Sequence, residues 1–296
     1  MQAYTIPSLL ETFNTLKTKH PQYLFHSPVY NITMTAVPHN CIAQHYKPEE
    51  KLARLLQTKQ KDALQQKLAA LATFLSEKTG IATNHFGVTG SILLDIHNTK
   101  FSDIDLTIYG FENSLTLKKT LNQITTDADS PVKRFEGAVL NDWCQKKAER
   151  YPLSFEDAKR IYERRWNLGL FEGTQFSIHP AKLEEELTEK YGDKTFQPVS
   201  QVIVKATVTD GRESLFLPCV YKVGEVEVLE GKQTGAGILE VVSYESLYDS
   251  LAENGEKIVA KGKLERVHDN RNGEEYHRVL VGSPEGKGEE YIKPIR

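Results

Sequence analysis

Two stretches, Phe86-Gly87-Val88-Thr89-Gly90-Ser91 and Phe101-Ser102-Asp103-Ile104-Asp105-Leu106, decide how this chain is read. Gly90 carries no Cβ, so the backbone there can approach a ligand closely. Ser91 suits the cap or first turn of a helix, and Ile92-Leu93-Leu94-Asp95-Ile96 supplies a short one. The amide groups and positive dipole end of such a helix favour phosphate. Asn98-Thr99-Lys100 turns the chain back. From Asp103 to Ile108 polar and apolar residues alternate, with Asp103, Asp105 and Thr107 on one face and Ile104, Leu106 and Ile108 on the other. That is the period of a strand. The apolar face enters a core, so the two aspartates point the same way. Neighbouring carboxylates repel unless a cation lies between them, and magnesium takes carboxylate oxygens together with substrate phosphates. An Asp-x-Asp pair by itself is common on solvated edge strands; the Gly-Ser turn at this distance tips the reading towards triphosphate and metal.

Gly90-Ser91, eleven intervening residues and Asp103-Ile104-Asp105-Leu106 resemble the signature of the DNA polymerase β-like nucleotidyltransferase superfamily. The longer run FGVTGSILLDIHN to FSDIDLTIYG, with YERRWN and TQFSIHP downstream, is similar to a set of uncharacterised archaeal predicted nucleotidyltransferases. The resemblance implies a small mixed sheet with helices, bound Mg2+ or Mn2+, and transfer of a nucleoside monophosphate from a nucleoside triphosphate to a hydroxyl, with release of pyrophosphate. By motif match Gly90 and Ser91 bind the triphosphate, and Asp103 and Asp105 bind the metal. Many members of the superfamily add a third acid on a later strand. The best later strand here, Thr174 to Pro180, offers Ser177 and His179 instead. His179 could serve as a general base, because imidazole titrates near neutrality; a structural histidine at a strand end is an equal alternative. Glu172 and Asp142 are substitutes without clear strand context. Two functions therefore stand side by side. One is an active nucleotidyltransferase whose acceptor is RNA, DNA, protein or a small molecule. The other is a nucleotide- or RNA-binding protein that keeps the fold with little or no turnover.

Composition bounds the remainder. The 296 residues suffice for two domains, and 39% hydrophobic with 26% charged residues describes an ordinary globular chain. No apolar run reaches the ~20 residues that span a bilayer, and the N-terminus lacks a signal-peptide layout. Cys41, Cys144 and Cys219 lie far apart and form neither a disulfide framework nor a metal spacing, so a cytoplasmic location is expected. The net charge of −3 argues against a strong sequence-independent grip on nucleic acid.

Along the chain three parts are expected: residues 1–50, a strand-containing segment; 51–195, the nucleotidyltransferase domain; and 196–296, a β-rich domain. The fold class is α+β, a mixed sheet with helices followed by a small OB-like β-barrel. Leu52, Leu55, Leu56, Leu64, Leu68, Leu71 and Leu75 recur at helical spacing, predicting one long helical region from Pro48 to Thr79. Ser154 to Asp157 reads as a capping box. The helix after it carries Lys159, Arg160, Arg164 and Arg165. Arg164 and Arg165 are candidate phosphate ligands, because guanidinium binds phosphate bidentately. Trp166 is either a stacking residue or core. The charged stretch 182–195 predicts a surface helix, and Tyr244 to Glu253 another. Val202 to Val208, Leu215 to Val223, and a hairpin around Asn272-Gly273 predict the β-rich part.

Overall fold

The computed structural model describes residues 6–232 and 237–295. In chain order the elements are α1 (Ile6–Lys19), β1 (Leu24–Ser27), β2 (Ile32–Thr35), α2 (Pro48–Gln57), α3 (Ala63–Thr79), β3 (Phe86–Val88), α4 (Gly90–Leu93), β4 (Ile104–Tyr109), α5 (Phe111–Ile124) and β5 (Val132–Lys133). There follow α6 (Gly137–Arg150), α7 (Phe155–Arg164), β6 (Leu168–Phe171), β7 (Thr174–Ala181), β8 (Lys194–Asp210), β9 (Cys219–Gly231), β10 (Ile238–Ser243), β11 (Lys257–Asp269), β12 (Glu275–Val281) and β13 (Tyr291–Ile295). The class is mixed α+β, with three sheets and seven α-helices among the described residues.

The chain forms two compact units. The first, Gln44–Leu140 with Arg165–Thr188, holds a five-stranded sheet ordered β3-β4-β7-β6-β5. β4 and β7 run parallel; the other neighbours are antiparallel. The apolar face read from Asp103 to Ile108 is realised, with Ile104, Leu106 and Ile108 fully buried; Thr107, read on the polar face, is buried as well. Leu52, Leu68, Leu71 and Leu75 are buried as well, as a leucine stripe requires. The helical region is two helices, however. Thr58 closes α2 by donating its Oγ1 to the Arg54 carbonyl at 2.8 Å. Asp62 opens α3, its carboxylate accepting from the Leu64 and Gln65 amides at 2.9 Å while Gln65 reaches back to the Asp62 amide. That capping box satisfies amides a continuous helix would have used otherwise.

The second unit gathers the described residues up to Ala43, then Asn141–Arg164, then Glu189 onward. It is built from three separate chain segments, whereas composition divides the chain into consecutive blocks. The reason lies in the core: Leu153 and Ile161 pack with Val204, Tyr221, Val241, Leu264 and Val279 of the β-rich part. Its large sheet runs β12-β10-β9-β8-β11-β13, and β11 also pairs with β12, so the sheet curls back and partly closes. The hairpin β11–β12 forms as read around Asn272-Gly273. β1 and β2 make a separate two-stranded sheet.

Two helices expected from the sequence are absent. Within 182–195 only Glu184–Glu186 makes a 3-10 turn. The Glu186 carboxylate is drawn out of any surface role, accepting from the Phe111 amide at 2.8 Å and the Leu183 amide at 2.9 Å. It thereby caps α5. Within 244–253 only Ser246–Tyr248 turns. There the backbone is claimed by tertiary partners: the Tyr221 hydroxyl donates to the Tyr248 carbonyl at 2.6 Å and accepts from the Leu251 amide at 2.8 Å. Trp166 is buried, a core residue.

Candidate functional site

The site lies in the first unit, where β3, the single turn α4 and the start of β4 meet. β3 pairs antiparallel with β4, Val88 opposite Leu106. The Thr89 amide continues that pairing by donating to the Asp105 carbonyl at 2.9 Å. The next residue, Gly90, turns the chain with φ +62°. A Cβ at Gly90 would fall on the Asp105 Oδ2 atom and stand 3.0 Å from its Cγ. The Gly90 backbone is thus laid directly against the Asp105 carboxylate. Fourteen residues of intervening sequence, 91 to 104, loop out and return to the same point.

On the other side of β4 the parallel strand β7 sets Asp105 opposite Ser177 and Thr107 opposite His179. The Ser177 hydroxyl donates to Asp105 Oδ1 at 2.5 Å and lies 2.8 Å from His179 Nε2. A hydroxyl has one proton. Spent on Asp105, it leaves Ser177 Oγ to accept at its second contact, so His179 donates from Nε2. A proton chain therefore runs from His179 through Ser177 to Asp105, with His179 Nε2 itself 3.9 Å from Asp105 Oδ1.

The two carboxyls are driven apart. Burial works to raise Asp105, but the neighbouring His179 and the hydrogen bond from Ser177 outweigh it and hold the group below the ordinary carboxylate range. Asp103 moves upward, first from loss of water around its carboxyl and then from the negative charge of Asp105. A carboxylate pair of this kind is relieved by a cation. Among the described residues no group of three or more His, Cys, Asp or Glu side chains is placed to hold a metal ion. The donors on offer are hard oxygens of two carboxylates, and those suit magnesium, which keeps water and substrate phosphate in its remaining positions. The residues that would hold it are Asp103 and Asp105.

The other residues singled out by sequence fall elsewhere. Arg165 is buried in the same unit as the pair, its carbonyl accepting from Arg134 at 2.6 Å. Arg164 belongs to the β-rich unit, where its guanidinium pairs with Glu256 and donates to the Leu251 carbonyl at 3.1 Å. Glu172 sits in the β6–β7 turn with φ +46°, ahead of the position where β7 meets Asp105. Asp142 pairs with Lys146 one turn along α6 at 2.7 Å. Neither Glu172 nor Asp142 stands at the register position that Ser177 holds. Ser177 is the residue sequence reasoning undervalued. Its parity with His179 on β7 was legible; that it bridges His179 to Asp105 depends on a strand pairing across 72 positions of sequence.

The chain is 31% identical over 292 residues to the uncharacterized protein MJ1086 of Methanocaldococcus jannaschii, a match covering 95% of this chain and 79% of that protein. It belongs to the MJ1086 family. No protein-family model matches the chain, and no solved structure matches it. Membership in the MJ1086 family extends over both units rather than over the motif region alone. Among the described residues no helix is long and apolar enough to cross a membrane.

Proposed function

We propose that this protein is a metal-dependent nucleotidyltransferase that moves a nucleoside monophosphate from a nucleoside triphosphate to an acceptor hydroxyl, releasing pyrophosphate. The observation that carries the reading is the closure of Gly90 onto Asp105, with Asp103 beside it. A tight turn laid against one carboxylate, with a second carboxylate two residues away, supports the arrangement the polymerase β-like resemblance implies. Bound Mg2+ or Mn2+ would supply charge neutralisation at the phosphate and at the leaving pyrophosphate. Gly90 lets the backbone come close to the triphosphate, and the Ser91 hydroxyl adds a donor. Asp105 is held anionic and fixed in orientation by Ser177. With Nε2 donating to Ser177, His179 keeps Nδ1 as an acceptor, and its side chain is 38% exposed, within reach of an incoming hydroxyl. We assign it the proton of that hydroxyl. In the β-rich unit the curling five-strand succession, closed by β11 against β12, supports an OB-like reading and with it an oligonucleotide acceptor.

One observation favours the second reading, a nucleotide- or RNA-binding protein without turnover: Ser177 occupies the register position opposite Asp105 where a third acid would serve. Incubation with nucleoside triphosphates labelled at the α-phosphate, magnesium, and RNA, DNA, protein or small hydroxyl acceptors separates the two. Label transfer with stoichiometric pyrophosphate, abolished by Asp103→Asn, is the expected result. Magnesium-dependent nucleotide binding with no pyrophosphate from any acceptor selects the binding protein.

A further inference from the structure

The segment between the two halves of the motif is held in an unusual way. Leu94, Ile96 and Phe101 are 45%, 72% and 80% exposed, three large apolar side chains in water within eight residues. Polar residues between them tie the backbone down through their side chains. Asp95, at φ +55°, binds Lys51 of α2 at 2.5 Å. The His97 side chain is 8% exposed and contacts the Asp62 carboxylate, the cap of α3, at 2.8 Å, leaving its Nδ1 buried with no hydrogen-bond partner. The following turn is pinned as well. The Asn98 amide donates to Ser102 Oγ at 2.9 Å, the Lys100 amide to Asn98 Oδ1 at 3.0 Å, and the Phe101 and Ser102 amides to the Asn98 carbonyl at 3.2 and 2.9 Å. A non-glycine residue at positive φ and an unpartnered buried nitrogen both cost folding free energy. These features fix the backbone of a loop whose apolar side chains gain nothing from the fold, since exposed ring and alkyl surface forgoes burial.

We infer that Phe101 is the platform on which the base of the bound nucleoside triphosphate stacks, with Ile96 and Leu94 extending the apolar surface. The inference rests on the proposed nucleotidyltransferase reading. Its geometry is local: Phe101 stands two residues before Asp103, so their Cα atoms lie no more than about 7 Å apart. A nucleotide with its phosphates at Asp103 and Asp105 carries its base one ribose away, and Phe101 is the aromatic ring the motif loop itself presents to solvent there. Stacking on a ring tolerates any base, because every base has a π-face. Phe101 is therefore expected to raise affinity for nucleotides as a class rather than to select among them. A nucleobase is favoured over an apolar acceptor protein because Phe101 stands only two residues from Asp103 in the motif loop.

The test compares nucleoside triphosphate with inorganic tripolyphosphate, both with magnesium, on the full chain. Phe101→Ala is expected to weaken nucleoside triphosphate binding roughly tenfold and to leave tripolyphosphate binding within twofold of the wild-type protein. Phe101→Trp is expected to keep nucleotide affinity, with its indole fluorescence quenched by the nucleotide and not by tripolyphosphate. Nucleotide affinity indifferent to residue 101, with no quenching in the Trp variant, overturns the inference while leaving the phosphate site intact; that pattern with transfer to a protein acceptor reduced assigns the ring to the acceptor. Wild-type protein that binds neither ligand overturns the nucleotidyltransferase reading itself, and this inference with it. Because Phe101 is exposed, neither substitution disturbs a core.

Discussion

Replacing Gly90 by alanine tests the junction on which the site depends, and Gly80 provides the control. Both glycines lie in the first unit and have positive φ, +62° and +73°. A Cβ at Gly80 meets nothing within 4 Å, whereas at Gly90 it lands on the Asp105 carboxylate. Gly80→Ala therefore carries the left-handed backbone cost alone, about 1–2 kcal/mol. Gly90→Ala carries the same cost and must also move Asp105, which forfeits the charge-assisted bond from Ser177, a further 1.5–3 kcal/mol or about that. The variant at 90 should be the less stable by roughly that second amount. The chain's two tryptophans make the measurement selective. Trp166 is buried and belongs to the first unit, so in a Trp143→Phe background its fluorescence reports the unfolding of that unit in urea. Equal losses for the two alanine variants would refute the reasoning, because they would mean that the Gly90 backbone is not seated against Asp105.

Three further outcomes follow from other contacts. Ser177→Ala should cost about 1.5–3 kcal/mol in the same assay, since it removes a hydrogen bond to a charged acceptor, and should release His179 from its Nε2–H form, read from imidazole nitrogen shifts; an unchanged tautomer would show that Ser177 does not set it. In the β-rich unit, burial and then the charge of Glu290 push Glu245 up to about 7, against a pull from Lys147. The folded state therefore holds that proton more tightly than the unfolded chain, so the stabilisation is full below pH ~4.5 and is lost as pH rises through ~7, up to about 3 kcal/mol before solvent screening. Glu245→Gln should flatten this fall between pH 5 and pH 8; parallel profiles for the two proteins would contradict it. Arg164→Ala should loosen the β-rich unit by about 1 kcal/mol, a partly exposed pair with one added carbonyl contact, and leave triphosphate affinity unchanged; a tenfold loss of affinity would return Arg164 to phosphate binding.

What the sequence made legible follows a physical division. Period and local chemistry sufficed for the apolar face of β4, where Ile104, Leu106 and Ile108 are buried as read although Thr107 on the other face is buried too, and for the helix behind Ser154, whose hydroxyl accepts from the Asp157 amide while Asp157 accepts from the Ser154 amide. The break between α2 and α3 was also written locally, as Asp62 three residues before Gln65, but the continuous leucine stripe masks it. Long-range contacts were out of reach. The failed helix at 244–253 turns on one buried hydroxyl, Tyr221, and the failed helix at 182–195 on Glu186 reaching the start of α5. The return of Leu153 and Ile161 to the core of a sheet whose first strand, β8, begins only at Lys194 has no local mark. At the site, Gly90, Asp103 and Asp105 could be read as a set from their spacing. Ser177 could be read only as a gap, and the fold turns that gap into the bridge between His179 and Asp105.

The most direct test of the central claim is a calorimetric titration of the full chain with a non-hydrolysable nucleoside triphosphate, with and without magnesium, repeated on Asp103→Asn and Asp105→Asn. Saturable binding at one site is expected, requiring magnesium and lost in both variants while their folding is preserved. Binding that is absent from the wild-type protein, or that persists undiminished in either variant, would contradict it.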